Sequence, residues 1–282
     1  MSQDGSIGEI HPRDMTTDAD GRFISLFESE AAARRAPTQT GASNCGETAV
    51  KASLMALKLK EASSGSVVVR ARDYSTRSML QYLRSRAVAG CTGADLVAGA
   101  TSLSGGKATA KFFACGPEPP NDLCAWLDNW IGKGAAPIVT INTQLDGADY
   151  WHHQAVLGVH PHSRELVLAN PYEKVKEAEL ARLLGSDRVM LIMASDVLQR
   201  CPPPADELVA MRADARWAAL DTAGHIEAMA AADDERSDRR LAIPASYIPG
   251  VTLIAASGSE CAKALEEAAS PWSSAVHDWP GL

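Results

Sequence analysis

The residues best suited to chemistry lie in the run Gln39-Thr-Gly-Ala-Ser-Asn-Cys45-Gly46, which opens an apolar-periodic segment. Val50, Leu54 and Leu57 recur at helical spacing, so a helix is expected from Cys45 to about Leu59. A cysteine in the first turn sits at the positive end of the helix dipole, which favours thiolate over thiol. Asn44 and Glu47 also match a capping-box pattern there. Gln39 can fold back beside the sulfur. Its side-chain NH₂ and the Cys45 N–H would then bind the oxyanion formed when an acyl carbon is attacked. A free cysteine on its own is more often a small packing residue. The glutamine before it and the glycine after it favour chemistry.

A nucleophilic thiol needs a base, and Tyr150-Trp-His152-His153-Gln-Ala-Val-Leu-Gly158 supplies two candidates at the start of an expected strand. Neighbouring strand side chains point to opposite faces, so at most one of these histidines should face the sulfur. His153 leaves a continuous apolar run behind it and is preferred on packing; His152 is the alternative base. Asn170 ends the partner strand of an expected hairpin, which brings it back beside the imidazole. Pro171 is expected to keep Asn170 extended and to stop the ladder. An Asn-Pro pair is also a plain turn signal.

Competing chemistry is weaker. His152, His153, His160 and His162 lack a carboxylate or cysteine at a ligand-like offset, so no metal is expected. Gly105-Gly106-Lys107 lacks the phosphate-loop spacing, and Trp126 with Trp130 reads as the buried face of a helix. No cofactor is expected.

Around these residues, helices are expected at 76–88, 94–103, 122–131 and 176–184. Strands are expected at 67–72, 108–114, 137–142, 151–159, 165–169 and 188–194. The fold class is therefore α+β, with the nucleophile on a helical lobe and the histidines and Asn170 on an antiparallel sheet. Residues 1–36 read as a flexible arm with a short helix between Leu26 and Arg35, and 37–200 as the catalytic domain. Pro202-Pro203-Pro204 marks a boundary. Residues 201–282 then form an Ala-rich helical extension packing on that domain, with a β segment at 251–255 and a helix near 259–268.

The 282 residues carry 35 acidic and 27 basic side chains, and only 5% are aromatic. Negative charge and scarce stacking platforms argue against nucleic acid as a partner. No apolar run approaches the roughly 18 to 20 residues that cross a bilayer, so no membrane partner is expected. Six scattered cysteines without a CxxC pair suit a reducing compartment. The expected location is cytoplasmic, or exported as an effector without an ordinary signal peptide.

The order Gln39, Cys45, His153, Asn170 resembles the papain-like cysteine peptidases, and more narrowly the bacteriocin-leader (double-glycine) peptidase branch. Trp130-Ile-Gly-Lys-Gly134-Ala-Ala-Pro137-Ile-Val-Thr-Ile is similar to that branch's helix, glycine turn and strand. His153-Gln-Ala-Val-Leu with Leu168-Ala-Asn170-Pro171 is similar to its histidine strand and terminal Asp-Pro. Thr38-Gln39 to Cys45-Gly46 also resembles phytochelatin synthases. The likeness covers about residues 37–195. Asn170 stands where the branch has aspartate, and Glu47 where it has a small or apolar residue. Gly158 lies at the family's distance from His152, which favours that histidine as base.

The resemblance implies a thiolate–imidazolium pair that cleaves an amide bond of a protein or peptide substrate through an acyl-enzyme. Gln39 and the Cys45 N–H would form the oxyanion hole, and Asn170 would orient the imidazole. A glutamine deamidase, amidase or acyl transferase on the same triad is the alternative enzyme. A catalytically idle papain-like binding module is the alternative outside enzymology.

Overall fold

The computed structural model describes residues 17–18, 21–40, 44–75, 78–116, 122–143, 151–185, 189–200, 203–231 and 240–272. The expected element starts at Thr76 and Arg188, Pro202 and most of the charged loop before Arg240 lie outside the described residues.

The chain runs through β1 (Thr17–Asp18), β2 (Gly21–Arg22), α1 (Glu30–Ala33), α2 (Cys45–Ala56), α3 (Met79–Val88) and α4 (Gly93–Leu103). Next come β3 (Ala108–Ala114), α5 (Leu123–Gly132), β4 (Ala136–Asn142), β5 (Trp151–His160), β6 (Glu165–Leu168), β7 (Glu173–Lys176) and α6 (Glu177–Leu184). The remainder is β8 (Val189–Met193), α7 (Ala194–Leu198), α8 (Ala205–Ala213), α9 (Ala215–Ala219), α10 (Thr222–Ala231), β9 (Arg240–Pro244), β10 (Gly250–Ala256) and α11 (Glu260–Glu267).

The architecture is α+β, built on a six-stranded antiparallel sheet in the order β3-β10-β4-β5-β6-β7. β4 and β5 are buried along their whole length because helices cover both faces of the sheet. Val139, Ile141 and Val156 face α5, α6 and α11 on one side. Ala136, Ile138, Ala155 and Leu157 face α2 and α4 on the other. A separate core gathers α3, the β8–β9 pair and α7 to α10 around Tyr82, Met190, Trp217 and Ile243. No helix among the described residues is long and apolar enough to cross a membrane.

Three stretches differ from the sequence reading. Residues 67–72 form no strand; a single bridge joins Arg70 to Gly90, while Val67 plugs the core and Val68 is exposed. The arm is anchored well before residue 37. Phe23 and Ile24 are buried, Ile24 bridges Val159, and the Ser25 hydroxyl donates to the Leu157 carbonyl at 2.5 Å. Beyond residue 200 the chain is more than a helical extension. β9 pairs with β8, and β10 threads between β3 and β4, because Val251, Leu253 and Ala255 on one face and Ile254 on the other fill both sheet cores.

Candidate active site

Cys45 is the first residue of α2, and the glycine after it is what lets the helix start where it does. A Cβ on Gly46 would lie 2.1 Å from Cys91 Sγ, 3.1 Å from Leu96 and 3.4 Å from His153 Cδ2. The helix end therefore rests directly on Cys91 and on β5. The capping box does not form, since Asn44 makes no side-chain cap bond and Glu47 turns to Lys51 Nζ at 2.8 Å. That ion pair draws the Glu47 carboxylate to the next turn of the helix.

β6 reaches its last ladder partner at Leu168, and the Ala169 N–H still donates to the Ala155 carbonyl at 2.9 Å. Asn170 then turns the chain away with φ of 66°, not the extended conformation expected ahead of a proline, and the Asn170–Pro171 bond is cis. Asparagine tolerates this left-handed region better than most residues. The turn exposes the edge of β5 at His153, and Cys45 occupies that edge. The backbone N–H groups of His153, Gly46 and Cys45 all favour its thiolate. Burial opposes them and prevails, so the thiol is raised above its ordinary range.

The two histidines part to opposite faces. Thr140 stands opposite His153 and Ile141 opposite His152 in the β4–β5 register. His153 lies on the α2 face and is 1% exposed. Its Nε2 is 2.9 Å from the Cys91 carbonyl, and its Nδ1 is 3.0 Å from Thr140 Oγ1. A carbonyl only accepts, so Nε2 carries the proton and Nδ1 takes the threonine hydroxyl. No lone pair is left for a thiol proton, and burial pushes the imidazole pKa down to about 4. His153 therefore lies on the α2 face as a buried ring with both nitrogens bonded.

His152 projects to the other face, where its Nε2 donates to the Asn170 main-chain carbonyl at 2.5 Å. By the same reasoning its basic lone pair is on Nδ1. Burial lowers its pKa below the usual histidine value, and the Asn170 carbonyl and the Glu173 carboxylate oppose that shift. Asn170 thus orients a histidine through its carbonyl, while its side chain serves Gln39. Asn170 Oδ1 accepts from the Gln39 N–H at 2.9 Å, and Asn170 Nδ2 donates to Gln39 Oε1 at 3.1 Å. Gln39, Asn170 and His152 form one hydrogen-bonded chain.

Several residues here were not singled out in the sequence. Cys91 lies against α2, Thr140 fixes the His153 tautomer, and Tyr247 stacks on Trp151 with ring centroids 5.5 Å apart. The Tyr247 hydroxyl donates to the Ala89 carbonyl, two residues before Cys91 in the chain. Gln154 Nε2 donates to Glu173 Oε1 at 2.7 Å on the His152 face. Gln154 lies inside the histidine run itself; strand register and long-range packing bring in Cys91, Thr140 and Tyr247, which no local motif marks. Trp126 and Trp130 do pack edge to face at 6.4 Å in the α5 core.

Comparison of the sequence with protein-family models and with curated proteins finds no match.

Proposed function

We propose that this protein is a thiol hydrolase of papain-like design that cleaves an amide bond with Cys45 as nucleophile and His152 as base. The observation that carries the reading is the placing of Cys45 at a helix N-terminus and against the His153 N–H, at the edge of the strand that also carries His152, whose tautomer Asn170 sets. The proposed pair is neutral at rest, thiol and imidazole, because burial raises the one pKa and lowers the other. This differs from the pre-formed thiolate–imidazolium pair that the resemblance to papain-like peptidases implies.

In the first step His152 Nδ1 takes the Cys45 proton as the sulfur forms its bond to the carbonyl carbon. The Cys45 N–H and Gln39 stabilise the oxyanion. The C–N bond then breaks, and the amine leaves with the proton from His152. Water, deprotonated by His152, attacks the thioester and releases acid and thiol. The proposed substrate is a protein or peptide.

The test is covalent capture by a peptide acyloxymethyl ketone, read by intact mass on wild type, His152→Ala and His153→Gln. Wild type should label at Cys45 alone. The rate should hold through neutral pH and fall only below 6.5, the ordinary histidine value from which His152 is lowered. His152→Ala should lose at least about 100-fold, the lower range for a general base. His153→Gln should stay within about ten-fold. Labelling that survives His152→Ala and disappears in a folded His153→Gln would reverse the two roles. Absence of labelling in folded wild type would end the hydrolase reading.

A further inference from the structure

On the His152 face, β5, β6 and β7 leave a cavity of about 190 Å³ beneath α6. Its apolar wall is Ile141, Leu168, Val175, Leu180 and Leu183. The proposed base lines it, as do Gln154 and two exposed carboxylates, Glu173 and Glu179. The volume lies below the roughly 300 Å³ at which pockets begin to hold a drug-sized ligand, so one side chain is its natural occupant.

Three neighbouring cations are turned to other carboxylates: Arg164 to Glu177, Lys174 to Glu30 and Lys176 to Glu165. Among the described residues neither Glu173 nor Glu179 has a cationic partner. Gln154 is 1% exposed and holds one oxygen of Glu173 through its amide. The carboxylate is thus fixed at the cavity with its second oxygen available to a ligand.

We infer that this cavity is a substrate subsite for a lysine side chain, its alkyl stem on the apolar wall and its ammonium between Glu173 and Glu179. A long amphipathic side chain suits the site because its methylene groups gain from burial while its charge stays at the rim. A neutral aliphatic side chain would fill the wall and leave the carboxylates unanswered, and an acidic one would meet like charge. The subsite rests on the hydrolase reading, since the proposed base lines the cavity.

The experiment uses peptide vinyl sulfones that carry lysine, norleucine or glutamate at each position in turn, on both sides of the electrophile. Capture of Cys45 is read by intact mass. At one position lysine should react at least ten-fold faster than norleucine, with glutamate slowest. In Glu173→Gln/Glu179→Gln the lysine-to-norleucine ratio should fall below about three-fold. The single Glu179→Gln variant, altered at an exposed helix position, should give an intermediate ratio even if the double variant folds poorly. The inference is overturned if no position prefers lysine, or if the preference survives both substitutions. Preference lost with Cys45 still reactive leaves the hydrolase reading standing. A folded protein whose Cys45 reacts with no probe overturns that reading and the subsite with it.

Discussion

His153 sits with both ring nitrogens bonded and almost no exposure, and that arrangement makes stability depend on pH. Its pKa falls from 6.5 to about 4 on folding, so the unfolded chain binds the extra proton between those values. The contribution is complete above pH 6.5 and is lost as pH falls toward 4. At about 1.36 kcal/mol per pH unit it amounts to about 3 kcal/mol. Urea unfolding at pH 7 and pH 4 should show a loss of that order in wild type beyond the loss in His153→Gln. Carboxylate titration is common to both chains and cancels in the difference. Equal losses in the two chains would show that His153 is not held neutral. Cys45 shows the same conflict at a second residue. The sequence places its thiol at a helix dipole, which lowers the pKa, while tertiary burial raises it by more.

The start of α2 owes its position to one missing methyl group. An alanine at Gly46 would put Cβ 2.1 Å from Cys91 Sγ, and the buried helix has little room to retreat. Gly46→Ala should cost about 1 to 3 kcal/mol, the usual range for overpacking. It should also slow capture of Cys45 at least ten-fold by tilting the helix end off β5. Removing the obstructing sulfur should restore much of both, so the Tm and capture rate of Gly46→Ala/Cys91→Ala should exceed those of Gly46→Ala. Additive losses would mean the clash is not with Cys91. The glycine was legible beside Cys45 in the sequence, and the sulfur it accommodates was not. The same division holds for whole elements. α2, β4 and β5 carry clear apolar patterns, since covered faces demand them. β7 does not: Glu173-Lys174-Val175-Lys176 has one buried residue and takes its place by pairing with β6.

At the scale of the molecule, the sheet is completed by chain that follows the proline run. Triple proline is a sound local signal for extended backbone, yet pairing is decided by which surfaces need cover. Gly250–Ala256 pairs along β3 and β4 and buries both its faces, a dependence with no trace in the residues before 200. A chain ending at residue 200 would expose the facing edges of β3 and β4 and strip Leu253 and Ile254 from the two sheet cores. It would also leave β8 without β9. That is more buried apolar surface than the roughly 5 to 15 kcal/mol of net stability of a typical domain can lose. Residues 1–200 alone should therefore be aggregation-prone and show no cooperative thermal transition. Co-expression with 201–282 as a separate chain should recover a soluble complex, because β10 is held by the sheet ladder rather than by its covalent link. A cooperative transition from residues 1–200 alone would show that this part of the chain folds without β10.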